Sequence, residues 1–92
     1  MADGSAPMTL RLLTPAGLLA EAGCDSAVLT LADGGLVGVM RGHAPAVMAL
    51  GKGAVRASLE GRPVLRAETE GGFASVKDNA VTVVADSVSI TE

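Results

Sequence analysis

An all-β fold, a two-layer antiparallel sandwich, is what this sequence of 92 residues predicts. From Thr9 onward, short apolar stretches alternate with Gly, Pro, Asn and Asp about every ten residues, the spacing at which strands and turns repeat in all-β domains. "GAVRASLEG" (53–61) sets Val55, Ala57 and Leu59 on one side and Arg56, Ser58 and Glu60 on the other, a period of two that no helix sustains. No stretch joins a cap to three turns of amphipathic pattern: "APAVMALGKGAV" comes nearest, and Pro45, Gly51 and Gly53 interrupt it.

Residues 1–7, "MADGSAP", are small and polar and end in proline, which reads as a mobile tail before a single domain over 8–92. "TLRLL", "GLLAEAG" and "CDSAVLTLA" then supply three strands, broken at Thr14-Pro15 and at Gly23. Val28, Leu29 and Leu31 are apolar on both faces, so the third of these is expected to be central. "LVGVM" and "AVMAL" are two further short strands, with Gly38 marking a bulge or a close backbone approach. The strand at 53–59 and "PVLRAETE" (63–70) form a hairpin around Gly61-Arg62, with Leu65 and Ala67 inward and opposite charges available across its solvent face. "GGFASV" and "AVTVVAD" form a second hairpin around Lys77-Asp78-Asn79, where Asp and Asn tolerate the left-handed backbone of a tight turn.

Composition narrows what such a domain can do. Nearly half the residues are apolar, yet there is one phenylalanine and no tryptophan or tyrosine, so the core is built from Ala, Val, Leu, Ile and Met. A chain of this size buries roughly 60 to 65% of its unfolded surface, and small side chains give modest stability that a bound partner would raise. Edge strands rich in Ala and Val invite pairing, so at least one edge or face is expected to be covered by a partner. A net charge of −3 without basic stripes or stacking aromatics argues against nucleic acid. No apolar run approaches the roughly 20 residues of a bilayer span, and "MADGSAPM" lacks the basic and apolar regions of a signal peptide. A soluble, unexported domain with no direct membrane insertion is expected. The single cysteine, Cys24, cannot form an internal disulfide, and the adjacent Asp25 would raise its pKa, which disfavours a reactive thiol.

Reactive chemistry finds little support. One His and one Cys leave a metal site to be completed from scattered carboxylates, so no metal is expected. No serine stands in a nucleophile elbow, and Gly34, Gly35 and Gly38 lack the helix start and the Gly-Lys-Ser/Thr of a phosphate loop. No catalytic residue and no cofactor are assigned. His43, the only histidine, lies in "GVMRGHAPAVMAL" between a glycine and Ala44-Pro45. It reads either as a turn residue bonded to backbone carbonyls or as a surface group in a protein contact, with catalysis a distant third.

The run Gly-Val-Met-Arg-Gly-His-Ala-Pro, the "GGF" at Gly71 to Phe73 and "NAVTVVAD" at Asn79 to Asp86 resemble the N-terminal domain of the epsilon subunit of F-type ATP synthase, as does the opening from Met8. The resemblance implies a flattened sandwich of about ten strands, non-catalytic and without cofactor, in the central stalk of the rotary enzyme at the cytoplasmic face of the bacterial inner membrane. It implies contact with the gamma subunit through Thr14, Pro15, His43, Ala44 and Pro45. It further implies an approach to the c-subunit ring by Asp33, Gly34, Gly35 and Leu36, which would couple ion transport to ATP synthesis. Gly35 stands where the family usually has an acidic residue and Arg41 where it often has a proline. Family members usually continue into a two-helix domain that inhibits ATP hydrolysis, whereas this sequence stops at Glu92, so neither inhibition nor ATP binding is expected of it. The alternatives are a free-standing β-sandwich adaptor and a small-ligand-binding module.

Overall fold

Alternation of inward apolar and outward polar residues builds ten strands in the computed structural model, which describes residues 6–91. They are β1 (Met8–Thr14), β2 (Gly17–Cys24), β3 (Ser26–Thr30), β4 (Leu36–Met40), β5 (Ala46–Ala49), β6 (Gly53–Leu59), β7 (Arg62–Glu70), β8 (Phe73–Lys77), β9 (Ala80–Val84) and β10 (Ser87–Thr91). One sheet has the order β2-β1-β9-β8-β5 and the other β10-β7-β6-β3-β4. The sheets face each other across a core of Met8, Leu10 and Leu12 from β1, Val81 and Val83 from β9, Leu29, Val39 and Val55. No aromatic side chain enters it; Phe73 stands on the surface, 50% exposed. Each fully buried Leu or Val contributes about 1.5–3 kcal/mol relative to exposure. Among the described residues Thr30 and Thr69 are the buried polar ones, and each hydroxyl donates to a backbone carbonyl, of Ala54 (3.0 Å) and Gly53 (3.4 Å).

Turn chemistry sets the registers. Glu60 (φ 52°) and Gly61 (φ 78°) close the β6–β7 hairpin, and Asp78 (φ 51°) and Asn79 (φ 62°) close β8–β9. Two successive positive-φ residues are the requirement of a type I′ turn, whose twist matches that of the strands. Gly71 (φ 69°) and Gly72 (φ 91°) make the corner at which the chain leaves β7 in one sheet and enters β8 in the other. A β-carbon at Gly72 would collide with the Val84 carbonyl oxygen, so the corner admits no side chain.

The all-β sandwich is as expected, with five differences in detail. The break between the second and third strands falls at Asp25, and β2 runs through Gly23 to end at Cys24. Gly38 sits in regular pairing opposite Val28, and a β-carbon there would meet nothing within 4 Å; the register shifts are at Leu12/Leu13 and Ala57/Ser58. The pairing of β1 with β9 is parallel, the sole exception to an otherwise antiparallel arrangement among the described strands. Across the β6–β7 hairpin Arg56 faces Arg66, a like-charge pair, because the bulge at Ala57/Ser58 sets a register that strand spacing alone does not reveal. β3 lies inside its sheet but beside the edge strand β4, and β6 holds the centre. The expected tail over 1–7 lies mostly outside the described residues; Ala6 and Pro7 lead into β1.

Candidate partner-contact face

The cross-strand pairs of the first sheet place an apolar row along one end of its outer face. Ala49 on β5 faces Phe73 on β8, Phe73 faces Val84 on β9, Val84 faces Leu13 on β1, and Leu13 faces Leu18 on β2. All five strands contribute, and no member is charged. Phe73 and Leu18 are half-exposed, and Val47 in the next row is 76% exposed. That next row continues through Ser75, Thr82, Arg11 and Glu21 and ends in an ion pair, Arg11 Nε to a Glu21 carboxylate oxygen at 3.3 Å. Single exposed apolar residues are ordinary on protein surfaces; a row contiguous across a whole sheet marks a contact surface. The molecule measures 31 × 25 × 22 Å, so one broad face matches the roughly 800 Å² per partner of a standard interface.

Reading the strands one at a time missed this row. The doublets Leu12-Leu13, Leu18-Leu19 and Val83-Val84 each put an apolar residue on the outward side, which was the available signal. Their adjacency depends on the parallel β1–β9 register, which is a long-range pairing.

The residues singled out by resemblance lie around this face. Thr14 and exposed Pro15 cap the β1–β2 hairpin just beyond Leu13, where the Thr14 hydroxyl oxygen accepts from the Ala16 N–H at 3.2 Å. His43, Ala44 and Pro45 enter β5 at the opposite end. Between Met40 and His43 the chain turns with Gly42 at φ 83° and the His43 N–H donating to the Met40 carbonyl at 3.1 Å. A single positive φ at the third turn position makes this a type II turn. The His43 Nδ1 lies 2.7 Å from the Ala44 carbonyl oxygen. A carbonyl only accepts, so in this bond Nδ1 is the donor. Among the described residues this is the one hydrogen bond of the His43 side chain, so no serine or aspartate forms a nucleophile–base pair with it. The turn role weighed for His43 is thus what its geometry provides.

Asp33, Gly34 and Gly35 link β3 to β4, which Leu36 opens, at the same end of the sandwich as Thr14, beside Leu50, which bridges to Leu31. One Asp33 carboxylate oxygen accepts from the Gly35 N–H at 2.8 Å, and the Leu31 N–H donates to the Gly35 carbonyl at 2.7 Å. The loop's only carboxylate is therefore engaged by its own backbone, and its outward side chain is Leu36, 68% exposed. Cys24 is fully buried; burial first, then the charge of Asp25, pushes its thiol pKa up. Among the described residues no group of three or more His, Cys, Asp or Glu could hold a metal ion, and no helix is long and apolar enough to cross a membrane. A hollow of about 410 Å³ lies at the β7–β10 edge, lined by Pro63, Val64, Leu65, Arg66, Ile90 and Thr91, away from His43.

Fold and surface together define a β-sandwich with an uncharged apolar row across one face and exposed turns at its two ends. The chain belongs to the family described as ATP synthase, Delta/Epsilon chain, β-sandwich domain, whose model matches residues 7–90. The ATP synthase epsilon chain of Symbiobacterium thermophilum is 35% identical over 88 residues, spanning 95% of this chain and 62% of its own length. That of Chlorobium limicola is 34% identical over 89 residues, spanning 97% of this chain and 100% of its own. This chain thus spans less than two thirds of the first relative and all of the second. A chain in a structure of Euglena gracilis mitochondrial ATP synthase, comprising OSCP, F1 and c-ring, superimposes with a TM-score of 0.78 at 25% identity, over 96% of this chain and 57% of that one. A chain in the Tetrahymena thermophila mitochondrial ATP synthase central stalk and c-ring shares the fold, with a TM-score of 0.69 at 17% identity.

Proposed function

We propose that this chain is a non-catalytic rotor component of an F-type ATP synthase, held between the gamma subunit and the c-ring in a membrane-bound complex on its cytoplasmic side. The apolar row crossing all five strands of the first sheet carries the reading, because a surface of that breadth in so small a domain suits a large partner rather than a small ligand. Gamma covers the row from Leu18 to Ala49 and reaches the turns at Thr14-Pro15 and His43-Ala44-Pro45. The c-ring meets the loop from Asp33 to Leu36 through backbone groups and the Leu36 side chain, since the Asp33 carboxylate is already bonded within the loop. A two-sheet core with short turns transmits torque as one body, because close-packed interiors deform little. Membership of the family and the fold shared with a chain of the Euglena gracilis ATP synthase structure of OSCP, F1 and c-ring support the reading.

The test is calorimetric titration of the 92-residue chain with isolated gamma. Replacing His43 and Pro45 together with alanine should weaken binding by about tenfold, ~1.4 kcal/mol, with the circular dichroism spectrum unchanged. Undiminished binding by the folded double variant would remove the His43 turn from the contact.

A further inference from the structure

Both the contact turn and the far hairpin contain a residue whose role strand pairing leaves unexplained. The closing bond of a β-turn uses the N–H of the fourth residue, so the N–H of the third is not used by the turn itself. Here that residue is Gly42, and its N–H donates to the side-chain oxygen Oδ1 of Asn79 at 2.8 Å, across 37 positions of sequence. Asn79 is the second positive-φ residue of the β8–β9 turn, and its own carbonyl accepts from the Thr9 N–H of β1 at 3.0 Å. One residue therefore ties the start of β9 to β1 through its backbone and reaches the β4–β5 loop through its side chain. The loop has few other restraints: Arg41, Gly42, Ala44 and Pro45 are exposed, and the remaining bonds, Met40 to His43 and His43 to Ala44, are local. A local turn fixes its own shape and leaves its direction relative to the sheet free.

We infer that Asn79 is the positioning residue of the partner-contact turn, its amide oxygen orienting Gly42 so that His43, Ala44 and Pro45 are presented to the partner before binding. The inference rests on the proposed contact with gamma. A turn already oriented loses less conformational entropy on association, so the gain shows as affinity without Asn79 touching the partner. Asparagine serves both needs at one position, since it tolerates φ > 0 and carries an acceptor oxygen. Glycine would meet only the first need, and aspartate would meet both.

Two variants separate these roles. Asn79→Gly preserves the hairpin and deletes the acceptor; Asn79→Asp preserves hairpin and acceptor. In the free protein, the backbone order parameters of residues 41–44 should fall from the rigid range, about 0.85, toward 0.6 in Asn79→Gly and remain high in Asn79→Asp. Titration with isolated gamma should show about two- to fivefold weaker binding for Asn79→Gly and wild-type binding for Asn79→Asp, in keeping with the modest net worth of an exposed hydrogen bond. Rigid residues 41–44 in Asn79→Gly, or equal losses in the two variants, would overturn the inference. The His43/Pro45 double variant keeps the two questions apart. If it binds gamma normally, the contact reading fails, while the order parameters still decide whether Asn79 orients the turn.

Discussion

The outer faces of the two sheets are built by the same alternation and differ in what they present. On the first sheet, the row Ala49, Phe73, Val84, Leu13 and Leu18 is uncharged from edge to edge. On the second, β6 and β7 turn Arg56, Arg66, Glu68 and Glu70 outward, and β10 adds Ser87 and Ser89. Inward residues are predominantly apolar in both, because burial between sheets admits a polar group only where it is hydrogen-bonded, as Thr69 is. Outward composition is under no such constraint: on the proposed reading gamma covers the apolar row of the first sheet, whereas the second sheet is charged at its centre and carries its exposed apolar side chains, Leu36 and Met40, on the edge strand β4. The exposed location of the only aromatic residue sharpens the contrast, since Phe73 would have added more buried area to the core than any other side chain in it.

The largest expected effect lies at the corner joining the two faces. Gly72→Ala forces a β-carbon onto the Val84 carbonyl at φ 91° and should cost roughly 3 kcal/mol or more. For a domain of this length that lowers the melting temperature by about 12–24 °C, measurable by circular dichroism. Gly38→Ala on β4, with open space around it and no positive φ, should change stability by less than about 0.5 kcal/mol. Similar melting temperatures for the two variants would mean that the corner does not hold the sheets in register.

The next effect tests the faces directly. Phe73→Glu should weaken binding to gamma by about thirtyfold, ~2 kcal/mol, while Arg66→Glu on the other sheet should change it by less than about threefold, both by titration. Both side chains are exposed, so folding should survive in each. Equal losses would dissolve the distinction between the faces.

How much of this was legible in the sequence follows from the range of each interaction. The period-two pattern of "GAVRASLEG" and the Asp78-Asn79 turn are local, and strands and turns stand where those residues place them. Nine of the ten strands lie on stretches legible one at a time; the tenth, β10, alternates weakly as Ser87-Val88-Ser89-Ile90-Thr91, and only the family resemblance implied it. The parallel pairing of β1 with β9, the Arg56–Arg66 register and the bond from Gly42 to Asn79 depend on partners far along the chain. The contact face is therefore the least legible part: each of its residues is visible as a second apolar residue in a doublet or beside a glycine, and the row exists only once five strands are in register.

The smallest effect belongs to the polar face. Arg56 and Arg66 stand directly opposite on β6 and β7, and the nearest compensation on the same face is Glu68, opposite Ala54. Neither arginine makes an ion pair among the described residues, where Arg11 with Glu21 is the one such bridge. Like charges at a cross-strand position are unfavourable, and an opposite pair there is favourable, each by a few tenths of a kcal/mol once solvent screening is included. Arg56→Glu should therefore stabilise the domain by about 0.5 kcal/mol, or roughly 2–4 °C in melting temperature, at low ionic strength. The gain should shrink as salt shortens the Debye length from about 30 Å at 0.01 M toward 3 Å at 1 M. Binding to gamma should not change, because the proposed gamma contact lies on the other sheet. A variant that gained stability and lost gamma binding would place the partner on the second sheet and reverse the assignment of the faces.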